Sequence, residues 1–326
     1  MKILVDVFGG DNAPDAIIEG CIMARDEYGV NLVLSGKEDE IKRCLEKYTK
    51  DFSNLEILNA EEVITNEDKP VNAIRRKKDS SMVKGLYAVK NGEADAIVSA
   101  GNTGALLTGG TLIIGRIGGI ERPALAPFMP TNNGFSLLLD AGANADCKAE
   151  YLRDFAIMGE IYTSCVLGIE RPKIGLLNVG AEAGKGSKLT KEAFELLENT
   201  NLSFTGNIEA RYVLNGDVDV VVADGFSGNI LLKSIEGTAS FIMKGLKEEL
   251  TSSFISKLGA AIVKPSLKKF KKRLDYGEVG GAMLLGVNAP VVKAHGSSDK
   301  IAIKNAIKQT KLILDNSVVE KIKERI

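Results

Sequence analysis

Short apolar runs alternate with helical patterns along most of the chain. Residues 2–7, 31–35, 55–59, 94–99, 136–140, 173–178, 202–205 and 218–223 are mostly apolar, and many are bounded by glycine. This is the pattern of strands in a largely parallel sheet. Between them, Asp15–Glu27, Asp39–Lys50, Ser80–Asn91 and Ala149–Leu167 carry helical periodicity, the first starting just after Pro14. Such alternation predicts an α/β layered, Rossmann-like fold. No repeat or Pro/Ser-rich linker divides the chain, so residues 1–326 form a single unit, either one body or two α/β lobes around a cleft.

After Asn229 the pattern turns helical, with little strand signal to the C-terminus. Leu246, Leu250, Phe254, Leu258, Ala261 and Ile262 form an apolar stripe at helical spacing. Pro265 is expected to break this helix, and a second amphipathic piece carries Leu267, Phe270 and Leu274. Seven basic residues and no acid lie from Lys257 to Arg273, among them Lys264, Lys268 and Lys269. The stretch 245–274 therefore reads as a basic helical hairpin. It either packs on the body or on a second subunit, or touches an anionic surface, a membrane or an acidic carrier protein.

Small polar residues follow the strands: FGGDNAP after the first, SAGNTGA at 99–105, DAGANAD at 140–146, GAEAGKGS at 180–187 and DGFSGN at 224–229. Ligands of open α/β sheets bind at the carboxyl ends of strands, so these loops predict a shared polar crevice. Any one of them could simply cap a helix. Neither nucleotide motif is present. No GxGxxG follows the first strand, and in the 180–187 loop Val179 and Gly186 stand where a phosphate-binding loop needs Gly and Ser or Thr. Lys185 in that glycine-rich loop could still hold a phosphate.

Composition narrows the chemistry. The formal net charge is −1, from 42 basic and 43 acidic residues, which gives no general attraction for nucleic acid. Four scattered cysteines without CxxC spacing read as buried or incidental thiols rather than disulfides or a zinc site, and a cytoplasmic protein is expected. No apolar run approaches the ~20 residues of a membrane helix. His295 is the single histidine, so a histidine-rich metal site is excluded, and a serine or cysteine triad would need His295 as its base. A lone histidine is more often structural. Chemistry must rest on Asn, Lys, Asp, Glu and backbone amides.

In their order, these motifs resemble the bacterial phosphate acyltransferases over essentially the whole chain. The matching pieces include VDVFGGDNAPDAIIEG (5–20), RRKKDSSMVKGLYAVKNGEADAIVSAGNTGALL (75–107), LLDAGANADCKAEYLRDFAIMG (138–159), DVVVADGFSGNILLKSIEG (219–237) and YGEVGGAMLLGVNAPVVKAHGSSD (276–299). The resemblance implies a fold like the isocitrate and isopropylmalate dehydrogenases and phosphotransacetylase, a homodimer, and no cofactor or metal. It implies conversion of long-chain acyl-carrier protein and inorganic phosphate to acyl phosphate, which a membrane glycerol-3-phosphate acyltransferase then consumes.

On residue type joined to these motifs, Lys185 with the Gly184 and Gly186 amides is assigned to phosphate or oxyanion charge, and Asn229 to the oxyanion. Asn102, Thr103 and Gly104 would complete the polar wall with Asp224 and His295, and Asp6, Asp140 and Asn144 would orient it. The hairpin becomes a peripheral contact with anionic membrane or carrier through Leu250, Phe254, Leu258, Ile262, Lys264, Lys268 and Lys269. One position departs from the pattern: the family usually has His where this chain has Asn12, which keeps a hydrogen bond but not proton transfer and is expected to hold its loop. Rival readings are a phosphotransacetylase-like enzyme using acyl-CoA, an oxidoreductase of the isopropylmalate type, and a non-enzymatic scaffold.

Overall fold

The computed structural model describes residues 1–273 and 280–326. Its strands are β1 (Lys2–Asp6), β2 (Asn31–Gly36), β3 (Leu55–Asn59), β4 (Ala96–Ser99), β5 (Ala124–Ala126), β6 (Phe128–Thr131), β7 (Gly134–Leu139), β8 (Lys173–Asn178), β9 (Ser203–Glu209), β10 (Val220–Val222), β11 (Ala282–Leu285) and β12 (Val291–Lys293). The helices are α1 (Asp15–Tyr28), α2 (Glu38–Tyr48), α3 (Pro70–Arg76), α4 (Ser81–Lys90), α5 (Thr103–Gly109), α6 (Ala149–Leu167), α7 (Lys188–Glu198), α8 (Gly225–Leu250), α9 (Phe254–Arg273), α10 (Lys300–Asp315) and α11 (Val318–Arg325).

Two sheets organise them. One has the order β3-β2-β1-β4-β12-β11-β5, the other β6-β7-β10-β8-β9. β1 pairs in parallel with β2 and β4, and β12 with β4, while β11 runs antiparallel to β12 and β5. In the second sheet β7, β10, β8 and β9 are mutually parallel and β6 is the antiparallel edge. Ile3, Leu4 and Val5 of β1 are all at most 1% exposed, because helices cover both faces. That is why the strands read as unbroken apolar runs rather than alternating ones. Phe155 and Tyr162 of α6 are fully buried in a core that also takes in strands of both sheets, and the Gln309 amide of α10 donates to the Tyr162 hydroxyl at 2.6 Å.

Two expectations about the last third are corrected. Strands do occur there: β12 sits beside β4 near the middle of the first sheet and β11 beside it. Each is only three or four residues long, with Asn288 and Pro290 between them, so the strand signal is weak and the pairing comes from the neighbours. Nor does Pro265 break the helix; it lies inside α9. An exposed helix tolerates the lost hydrogen bond because water can reach the freed carbonyl. The interruption falls instead at Thr251–Ser253. The Thr251 and Ser252 hydroxyls donate back to carbonyls of α8, and Ser253 Oγ accepts the Ser256 N–H at 3.0 Å to open α9. Leu274 lies outside the described residues.

Candidate active site

Three neighbouring parallel strands end in a polar row. Asp6 closes β1, Ser99 closes β4 and Lys293 closes β12, with Ser99 in register with both. In-register residues of a parallel sheet share a face. Ser81 Oγ donates to Asp6 Oδ1 at 2.6 Å and Ser99 Oγ to Asp6 Oδ2 at 2.7 Å. Burial pushes the Asp6 carboxyl above its ordinary range, against those hydroxyls, the Phe8 amide and the Lys293 charge. The buried Lys293 ammonium donates to the carbonyls of Ala100 (3.1 Å) and Ala294. Burial lowers its pKa to about 8, while Asp6 and Asp11 act in the opposite direction.

The second sheet contributes a loop wound around one carboxylate. Asp140, fully buried, accepts from the N–H groups of Leu125 (2.9 Å), Gly142 (3.2 Å), Ala143 (3.1 Å) and Asn144 (2.7 Å), and from the Asn144 amide (3.0 Å). Burial raises its pKa against these donors. Asn144 also donates to Pro123 O at 2.8 Å. Asp6 and Asp140 are thus buried and, like the partly buried Asn144, bonded within the protein.

Two helices open beside these strand ends. Asn102 Oδ1 accepts the Ala105 N–H at 2.9 Å at the start of α5, and its amide ties down Thr65 O and Asp68 O. Asp224 opens α8, accepting the Ser227 N–H at 2.9 Å. Both residues are helix caps whose side chains bond to protein. Gly104 abuts the Pro70 ring at the start of α3.

Between the sheets lies a cavity of about 390 Å³. Thr103, Asn229, Lys233, Glu236, Lys293 and His295 supply its polar lining, and Leu107, Leu125, Phe128 and Leu232 its apolar lining. His295 Nδ1 lies 3.2 Å from the Ser297 N–H, which donates to it, and 2.8 Å from the Ser297 hydroxyl. Asn12 donates to Ser297 O (3.1 Å) and Ser298 O (3.2 Å), so it fastens the loop that carries His295. Lys233 is paired there with Glu236 at 2.7 Å, which leaves Lys293 and the neutral donors beside the apolar wall, an arrangement that suits an anion next to an aliphatic group.

The structure brings Thr103, Asn229 and His295 together at this cavity but does not line it with Lys185. That lysine is exposed on the loop after β8, where its N–H donates to Glu182 O at 3.0 Å and its carbonyl accepts from the Asn178 amide at 3.2 Å. Its ammonium has no partner among the described residues. Gly184 is open to solvent, and Gly186 has φ +93°, packed against Asn178 and Thr190. β8 lies two strands from β7 along the same strand-end edge, about 10 Å away. Lys233 and Lys293 were missed in the sequence; the only signal for Lys293 was its place two residues before His295 in KAHGSSD. Among the described residues no group of three or more His, Cys, Asp or Glu could hold a metal.

Phe254 (77%), Leu258 (54%) and Ile262 (81%) of α9 are exposed on one helical stripe, with Leu250 half-buried at the end of α8. Lys264, Lys268 and Lys269 are exposed beside them. No helix of the described residues is long and apolar enough to cross a membrane.

The fold is also that of a phosphotransacetylase from Streptococcus pyogenes: the match covers 96% of this chain and 94% of that one, with a TM-score of 0.63 at 20% identity. Among curated proteins, a phosphate acyltransferase from Exiguobacterium sp. is 54% identical over 99% of this chain and 98% of its own. One from Alkaliphilus oremlandii is 52% identical over 100% and 97%. A family model described as "Fatty acid synthesis protein" matches residues 1–321. The chain belongs to that fatty acid synthesis family, the family of the phosphate acyltransferases.

Proposed function

We propose that the chain moves a long-chain acyl group from acyl-carrier protein to inorganic phosphate, releasing acyl phosphate and free carrier. The observation that carries this reading is the cavity, with Lys233, Lys293, Asn229 and Thr103 facing an apolar wall of Leu107, Leu125, Phe128 and Leu232. Phosphate is already an anion at neutral pH and needs positioning more than deprotonation. A phosphate oxygen attacks the thioester carbonyl, the tetrahedral oxyanion forms, and the C–S bond breaks. The thiolate leaves and takes a proton from water. Asn229 donates to the oxyanion, and Lys185, on the same strand-end edge but outside the cavity lining, is assigned to phosphate charge.

The exposed apolar and basic face of α9 supports peripheral contact with an anionic membrane, where a glycerol-3-phosphate acyltransferase would receive the product. Family resemblance supports a homodimer. The test is acyl phosphate release from palmitoyl-carrier protein and phosphate, beside palmitoyl-CoA as the alternative donor. Release from the carrier substrate is expected, and Lys185→Ala and Asn229→Ala should each lower turnover ~10²-fold or more. Acyl phosphate from the CoA ester alone would move the chain to a phosphotransacetylase-like activity. Unchanged turnover in both variants would overturn the residue assignment.

A further inference from the structure

We infer that Lys293 is the fixed cation of the cleft and binds the phosphate oxygens of substrate and product. The inference rests on the acyl-transfer reading above and adds a residue to it.

The geometry is specific. Lys293 is 9% exposed, yet it lines the cavity together with Asn229, Lys233 and His295. An ammonium has three N–H groups. Two are held by the Ala100 and Ala294 carbonyls, which aim the side chain, and among the described residues the third has no protein partner. No carboxylate lies within ion-pair distance of it among the described residues. Asp6 is engaged by Ser81 and Ser99 instead, so the positive charge is left for a ligand. An incompletely paired buried cation is costly, and an anion in the cavity would offset that cost. Lys233, exposed on α8, already pairs with Glu236 at 2.7 Å. The charged and titratable groups around Lys293 are Asp6 and Asp11 from the β1 side, Lys233 and its partner Glu236 from α8, and His295 two residues along its own strand end.

The test uses inorganic phosphate as the probe. In wild type, phosphate should raise the unfolding temperature, and its dissociation constant should rise as pH passes about 8, where Lys293 loses its proton. Phosphate itself is already the dianion there and cannot cause that rise. Lys293→Met should weaken phosphate binding by about ten- to a hundredfold while the KM for acyl donor stays within about twofold. Lys293→Arg should keep binding and abolish its pH dependence.

A phosphate dissociation constant in wild type that is flat from pH 7 to pH 9.5, or one unchanged in a folded Lys293→Met, would overturn the inference. If Lys293→Met does not fold, as judged by its phosphate-free melting curve, the wild-type pH series and Lys293→Arg decide. Apart from that KM, these measurements use phosphate alone, so failure of the acyl-transfer reading is seen separately, in the acyl phosphate assay.

Discussion

The carbonyl of Asp140 faces Gly228 so closely that a methyl group on Gly228 would overlap it. One turn earlier, a Cβ on Gly225 would fall 2.5 Å from Asn144 O and 2.7 Å from the Asp140 carboxylate. The first turn of α8 thus docks bare backbone onto the loop after β7. That close approach holds Asn229, the next residue, against Gly142 in the cavity wall.

Gly228→Ala should cost at least about 1–3 kcal/mol, because the obstacle is backbone and cannot rotate away. Gly237 in the same helix faces open space, so Gly237→Ala should stabilise by about 0.5–1 kcal/mol. Chemical denaturation of the two variants should give shifts of opposite sign, and acyl phosphate formation should fall only in the first.

Asp140→Asn should be destabilising by about 3 kcal/mol or more. Five N–H donors converge on the carboxylate, and an amide presents donors of its own to some of them. An unfolding midpoint equal to wild type would show that the loop does not depend on this charge.

Asn12→Ala removes the two bonds to Ser297 O and Ser298 O. A cost of about 1 kcal/mol is expected, with a modest fall in kcat as the His295 loop loosens. The pH profile of kcat should not move, since an amide does not titrate. A changed profile would mean that Asn12 acts on the chemistry itself.

Flotation with vesicles of anionic lipid should carry the protein upward, and less so at high salt, because the lysines of α9 supply part of the attraction. Leu258→Glu places a charge in the exposed stripe between Phe254 and Ile262 and should abolish flotation without changing the melting temperature. Binding that survives this change would remove α9 from the membrane contact.

Much of this site was legible because its loops follow strands whose hydrophobicity is unmistakable. β1, β4, β7, β8 and β10 all run into the glycine-, asparagine- and aspartate-bearing segments singled out beforehand. The roles within those loops were not legible. Asn102 and Asp224 carry residue types equally suited to capping a helix or touching a ligand, and only their bonds to Ala105 and Ser227 tell which they do in this fold. Lys293 stands in the sequence at the polar end of the apolar run APVV. It becomes conspicuous only when β12 is seen beside β4, burying a cation that its local sequence gives no reason to bury.

By itself the amino-acid sequence determined the α/β class, most strand positions and the family, since these depend on local hydrophobic period and on residue order. Tertiary structure decided what depends on contacts between distant segments. It brought two weak strands into the middle of a sheet and carried α9 unbroken through Pro265. It also set Asp6, Ser99 and Lys293, from three separate parts of the chain, in one row at the cleft. Pairing and burial come from neighbours far away in the chain, and no local pattern encodes them.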